Sequence, residues 1–181
     1  IEGTFSNPDI TSEIDIQNPG FDKINGESLK GKIYYNNKRL DFRNLTLKTE
    51  TGRFSGFGYV PVDLNLIISN RGDISQEPLD FVFTGMTDNI EFLPPYFNLL
   101  DSLTSAHSED DTLNYTLQLL LTGTLANPVR NGWVGIRNGI LFLDPINESI
   151  ENIKGKLSIH NNQLIIDHLY GSLIQPDNSG V

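Results

Sequence analysis

The amino-acid sequence predicts an all-β protein: a long, curved antiparallel sheet with an apolar groove on its concave side, and one short helix near 94–104. Three observations predict it. Apolar and polar residues alternate along most of the chain, the period-two signature of strands with one buried face. Turn residues punctuate these runs at short intervals. The chain also repeats its own pattern.

The alternation runs from end to end. Ile14 and Ile16 alternate with Glu13, Asp15 and Gln17. Leu40, Phe42, Leu45 and Leu47 are interleaved with Asp41, Arg43, Thr46 and Lys48. Leu64 and Leu66 flank Asn65, and Phe81 and Phe83 flank Val82. Tyr115, Leu117, Leu119 and Leu121 are separated by Thr116, Gln118 and Leu120. Leu157 and Ile159 flank Ser158, and Leu164 and Ile166 flank Ile165. Between them lie Asn18-Pro19-Gly20, Asn25-Gly26, Asn36-Asn37, Asn70-Arg71-Gly72-Asp73, Asn127-Pro128, Asn138-Gly139 and Asn161-Asn162. Short strands joined by such turns form hairpins of an antiparallel meander.

One stretch departs from the pattern. Pro94-Pro95 precedes Tyr96, Phe97, Leu99, Leu100 and Leu103, which are spaced for one face of a helix. A polar run, Ser105 to Asp111, reads as a solvated loop. The plain role for the helix is to plug an open end or edge of the sheet; the functional one is a lipid-facing lid.

The repeat has two blocks. Gly3-Thr4-Phe5-Ser6-Asn7-Pro8 returns as Gly123-Thr124-Leu125-Ala126-Asn127-Pro128, and Ile16 and Asn18 match Ile136 and Asn138. Leu29-Lys30-Gly31-Lys32-Ile33 returns as Ile153-Lys154-Gly155-Lys156-Leu157, and Asn37, Leu40 and Leu45 match Asn161, Leu164 and Leu169. The unit is roughly 120 residues long. Residues 1–121 form the first copy and 122–181 the start of a second, continuous with it.

Composition narrows the function. The formal net charge is −10 and the pI about 4.6. Nucleic-acid binding needs a basic patch, and Lys30 with Lys32 is only an isolated pair. An acidic chain gains nothing from anionic membrane surfaces, so contact with lipid would run through apolar side chains. The absence of cysteine excludes disulfides, thiolate metal sites and a cysteine nucleophile. No apolar run reaches the ~20 residues of a membrane helix. Ile1-Glu2-Gly3 carries no initiator Met and no signal peptide, and reads as the middle of a longer chain, with any anchor elsewhere.

No constellation of catalytic or metal-ligating residues stands out, so no enzyme, cofactor or metal is expected. His107, His160 and His168 lack ligand spacing and read as surface histidines. Gly56-Phe57-Gly58 opens no helix and reads as strand-end glycines. Glu109-Asp110-Asp111 lacks the spacing of a calcium loop. Asn44-Leu45-Thr46, Asn114-Tyr115-Thr116 and Asn147-Glu148-Ser149 match a glycosylation pattern, but inside strands no modification is expected. Paired carboxylates could serve a glycosidase, yet no pair departs from the outward-facing polar set. Trp133, the one tryptophan, reads as core or rim rather than a sugar platform.

A meander with one apolar face must bury that face or use it. The residues expected to line a groove are Ile33, Tyr35, Leu40, Phe42, Leu45, Leu47, Leu64, Leu66, Phe81, Phe83, Leu117, Leu119, Leu121, Val134, Ile136, Leu157, Ile159, Leu164 and Ile166. Such a trough suits an acyl chain, whose burial yields about 25 cal/mol per Å². A series of similar apolar contacts lets the chain slide, the logic of a conduit rather than a pocket.

The order Gly123 to Pro128, Gly132 to Gly139 and Ile153 to Ile166, with Gly3 to Pro8 and Leu29 to Phe42 in the first copy, resembles the repeat of TamB and AsmA-like proteins. The resemblance covers most of the chain, least of all 73–112. It implies a β-taco, a long sheet curled into a U-shaped groove. It also implies phospholipid transport between inner and outer membranes in the periplasm of a diderm bacterium. The partners implied are phospholipid, neighbouring repeats of the same chain, and an outer-membrane barrel of the Omp85 class, with a role in outer-membrane protein assembly. The family has no catalytic residues to carry over. The main rival is a structural or adhesive β-solenoid with a closed, dry core and no ligand, which uses the same alternation.

Overall fold

A computed structural model describes residues 2–5, 7–21, 24–65, 72–88, 103–105, 114–143 and 148–174. Twelve strands form one sheet. They are β1 (Glu2–Gly3), β2 (Pro8–Gln17), β3 (Gly20–Phe21), β4 (Ile24–Asn36), β5 (Arg39–Thr49) and β6 (Gly52–Pro61). Then follow β7 (Asp80–Thr87), β8 (Leu103–Ser105), β9 (Tyr115–Gly123), β10 (Pro128–Leu143), β11 (Glu148–His160) and β12 (Gln163–Ile174). The hydrogen-bonded order is β1-β2-β4-β5-β6-β7-β9-β10-β11-β12, with β3 appended to β4 and β8 to β10. Every pairing is antiparallel. The sheet is open, because β1 and β12 are not paired with each other.

The expected helix is not found among the described residues. Residues 94–102 lie outside them, and the end of that stretch, Leu103–Ser105, is strand β8, paired with Gly139 to Leu141. The polar run 106–111 and the lid reading also fall outside.

Local chemistry sets the hairpins. Asn37-Lys38 joins β4 to β5 and Asn161-Asn162 joins β11 to β12, all four residues having positive φ between 48° and 67°. Two successive left-handed residues make the turn whose twist matches that of paired strands, and Asn tolerates this conformation better than most residues. Two other turn signals behave differently. Asn25-Gly26 sits inside β4, paired with β3 and β5, and is not itself a turn. Asn138-Gly139 lies within β10, where the register with β11 shifts. A bulge inserts a residue without ending the strand, so the asparagine signal was real but its reading as a turn was not.

The two Gly-Thr-x-x-Asn-Pro turns share their geometry. Thr4 and Asn7 exchange backbone hydrogen bonds of 3.1 and 3.1 Å, and Thr124 and Asn127 do the same at 3.3 and 3.1 Å. In each turn the threonine hydroxyl accepts from the asparagine N–H, at 3.1 and 3.2 Å. The preceding glycines share a left-handed φ, 89° at Gly3 and 87° at Gly123. A Cβ at either would stand 2.6 Å from the asparagine carbonyl oxygen, so only glycine fits. Thus β1 and β2 are joined as β9 and β10 are, and the hairpin of β4 and β5 recurs in β11 and β12.

Candidate functional site

Register carries the apolar residues onto one face. One row runs Leu29–Leu47–Phe54–Gly85–Leu117–Val134–Leu157–Ile166 across eight strands. Beside it runs Leu45–Gly56–Phe83–Leu119–Gly132–Ile159–Leu164. A third holds Ile33, Phe42, Gly58, Phe81 and Leu121, and a fourth Ile10, Tyr35, Leu40 and Val60. A fifth holds Thr87, Tyr115, Ile136, Gly155 and Leu169. Because side chains alternate between faces, these rows share a face, and it carries every described residue of the predicted lining except Leu64. Leu64 follows the end of β6, where its N–H donates to the Tyr35 hydroxyl at 3.0 Å, and it lines no strand. Leu66 lies outside the described residues.

Glycines on this face leave room for large neighbours. The Phe54 and Phe83 rings stack at 5.5 Å and 6°, and Phe42 meets Phe81 edge-on at 5.6 Å. Phe54 lies over Gly85 and Phe81 over Gly56. Aromatic pairs of this kind add about 0.5–1.5 kcal/mol each beyond their buried area.

Exposure grades across the face. At its centre Tyr115 and Val134 are 0% exposed, Leu117 2% and Leu157 2%. Towards its ends Ile16 is 47%, Ile166 51% and Leu173 54% exposed. Phe54, Tyr115 and Ile153 belong to the buried cluster although the predicted lining omitted them. Phe54 and Tyr115 obey the alternation and could have been read from it. Ile153 likewise keeps the parity of Leu157 and Ile159; it is Ile150 that changes phase, because β11 slips against both neighbours at Asn152, whose φ is 55°.

The opposite face is mostly polar. Lys32 pairs with Glu13 at 2.7 Å and Lys30 with Asp15 at 3.3 Å. The Lys32 ammonium holds the Glu13 carboxyl below its ordinary value, and Glu13 in turn raises Lys32. Trp133, expected in the core or at its rim, belongs to this face, registered between Gln118 and Ser158. The face's apolar members include Met86, Ile165 and a short row, Phe57–Val82–Leu120, with Phe57 55% exposed. Among the described residues no three His, Asp or Glu side chains cluster as metal ligands. His160 and His168 lie on β11 and β12; His107 lies outside.

Comparisons with protein-family models, with curated proteins and with solved structures find no match to this chain.

Proposed function

We propose that this chain is a segment of a lipid conduit, its apolar face carrying phospholipid acyl chains between the two membranes of a diderm envelope. The observation that carries this reading is the continuity of the face. Apolar rows keep register from strand to strand and cross the junction between the two copies of the turn motif, from β7 through β9 to β10. Both copies therefore contribute to one surface, with polar groups behind it. In this reading the sheet curves into the U-shaped groove of a TamB-like repeat, residues 1–121 and 122–181 are successive units, and acyl chains occupy the exposed ends of the face. Accompanying roles are docking of an outer-membrane barrel and assistance to its assembly. No chemical step is involved.

The burial of Tyr115 and Val134 favours a second reading, a structural β element whose core is closed. Native mass spectrometry and lipid extraction of the purified chain separate the two. Phospholipid carried through purification and released by organic solvent is the result expected of a conduit. Lipid-free protein that also takes up none from vesicles leaves the closed element as the function.

A further inference from the structure

The polar face holds a second, unassigned site. Several cations of this acidic chain are neutralised where they stand: Lys30, Lys32, Lys38, Arg39 and Lys48 each face a carboxylate. The guanidinium groups of Arg53 and Arg137 and the Lys156 ammonium face none among the described residues. Register brings these three together. Arg53 lies in the row Arg53–Met86–Thr116–Gly135–Lys156–His168, and Arg137 is two residues beyond Gly135 on β10. Two adjoining hollows, about 1020 and 420 Å³, open here and share Thr116, Trp133 and Arg137.

Trp133 is fixed at their junction. Its indole N–H donates to Gln118 Oε1 at 3.1 Å, and Lys156 Nζ lies 6.0 Å from its ring centre. The ring leans over Gly135, whose missing side chain leaves the space (an ideal Cβ would sit 3.4 Å from Trp133 Cζ3). The site therefore offers an oriented aromatic surface, hydroxyl and amide groups from Thr84, Thr116 and Gln118, and unpaired cations on either side; of the two carboxylates at the far rim of the larger hollow, Glu27 is paired with Lys48, and Glu50 lies at the β5–β6 turn.

We propose that this cleft binds an anionic oligosaccharide, the C–H face of a sugar ring packing on Trp133 and its acidic groups meeting Arg53, Arg137 and Lys156. Arg53 and Lys156 are four strand spacings apart, roughly 19 Å along the sheet, which selects an extended ligand over a single anion. Single-stranded nucleic acid normally stacks on several aromatic rings, and this cleft has one. Guanidinium groups suit carboxylate and sulfate through paired donors.

Trp133, the sole tryptophan, reports on its own site. Fluorescence titration of the whole chain uses a sulfated heparin octasaccharide, a galacturonate octasaccharide, neutral dextran, a single-stranded oligonucleotide and phosphatidylglycerol vesicles. Saturable change is expected with both acidic octasaccharides, weakening as salt rises, and none with dextran. The double variant Arg53→Ser, Arg137→Ser should bind at least about tenfold more weakly with an unchanged circular dichroism spectrum and urea midpoint. The proposal falls if neither acidic octasaccharide binds, if dextran binds as well, if only oligonucleotide or vesicles bind, or if the folded double variant keeps its affinity.

Discussion

The ring of Phe54 fills the space that a β-carbon on Gly85 would need: an ideal Cβ there would stand 2.3 Å from Phe54 Cδ1. The ring cannot retreat, since it is 4% exposed and stacked on Phe83. Gly85→Ala should therefore lower stability by about 1–3 kcal/mol, the usual range for overpacking. Gly20→Ala, where the nearest atom is 4.0 Å away, should stay within about 0.5 kcal/mol. Urea unfolding of the two variants measures the difference, and equal midpoints would refute the packing argument.

The second hairpin turn is held by more than conformation. The Asn162 side-chain oxygen accepts from the Arg130 N–H at 2.8 Å, and its amide donates to the Pro128 carbonyl at 3.2 Å. This ties the β11–β12 turn to the start of β10. Asn162→Ala places a methyl group at φ 67° and removes both bonds, at a cost of about 1–2 kcal/mol for the backbone and 0.5–1.5 for each bond. Asn162→Gly relieves the backbone and loses only the bonds. Alanine should thus destabilise more than glycine in thermal unfolding, and the reverse order would mean that glycine's extra freedom in the unfolded chain outweighs the left-handed strain on alanine.

Tyr115 sets an alkaline limit. Burial, helped by the Asp88 carboxylate, pushes its hydroxyl up to about 12, whereas an unfolded tyrosine titrates near 10. The folded chain therefore holds this proton more tightly. Its contribution is intact below pH 10 and is lost as the pH rises from 10 towards 12. At about 1.36 kcal/mol per unit, the full loss is roughly 2–3 kcal/mol. Unfolding free energies between pH 9 and 11.5 should fall for the parent chain and stay flatter for Tyr115→Phe.

Sequence carried the strands well where alternation is unbroken. Leu117, Leu119 and Leu121 fall on the predicted face because β9 pairs without a slip. The duplicated Gly-Thr-x-x-Asn-Pro turn was legible because one left-handed glycine and one threonine hydroxyl specify it locally. Parity failed at the bulges: the slip at Asn152 puts Ile150 and Ile153 out of phase with each other, and Asn138-Gly139, with the composition of a turn, lies inside β10 where its register with β11 shifts. The basic cleft was illegible for another reason. Arg53, Arg137 and Lys156 are far apart in the chain, and only the register of five strands brings them together.

The apolar face itself supplies the decisive substitution. Leu157 and Ile166 are cross-strand partners in one row, yet Leu157 is 2% exposed and Ile166 51%. An aspartate at 157 buries an unpaired carboxylate, which costs several kcal/mol or forces its protonation; Leu157→Asp should unfold the chain. Ile166→Asp leaves the carboxylate in water and should shift the urea midpoint little. Leu119, half-buried against the core cluster, falls between them. If acyl chains ride on the exposed part of the face, Ile166→Asp places a charge in their path. Lipid recovered with that variant should then fall several-fold while its circular dichroism spectrum is unchanged. A folded Ile166→Asp chain that retains its full complement of lipid would remove acyl chains from this end of the face.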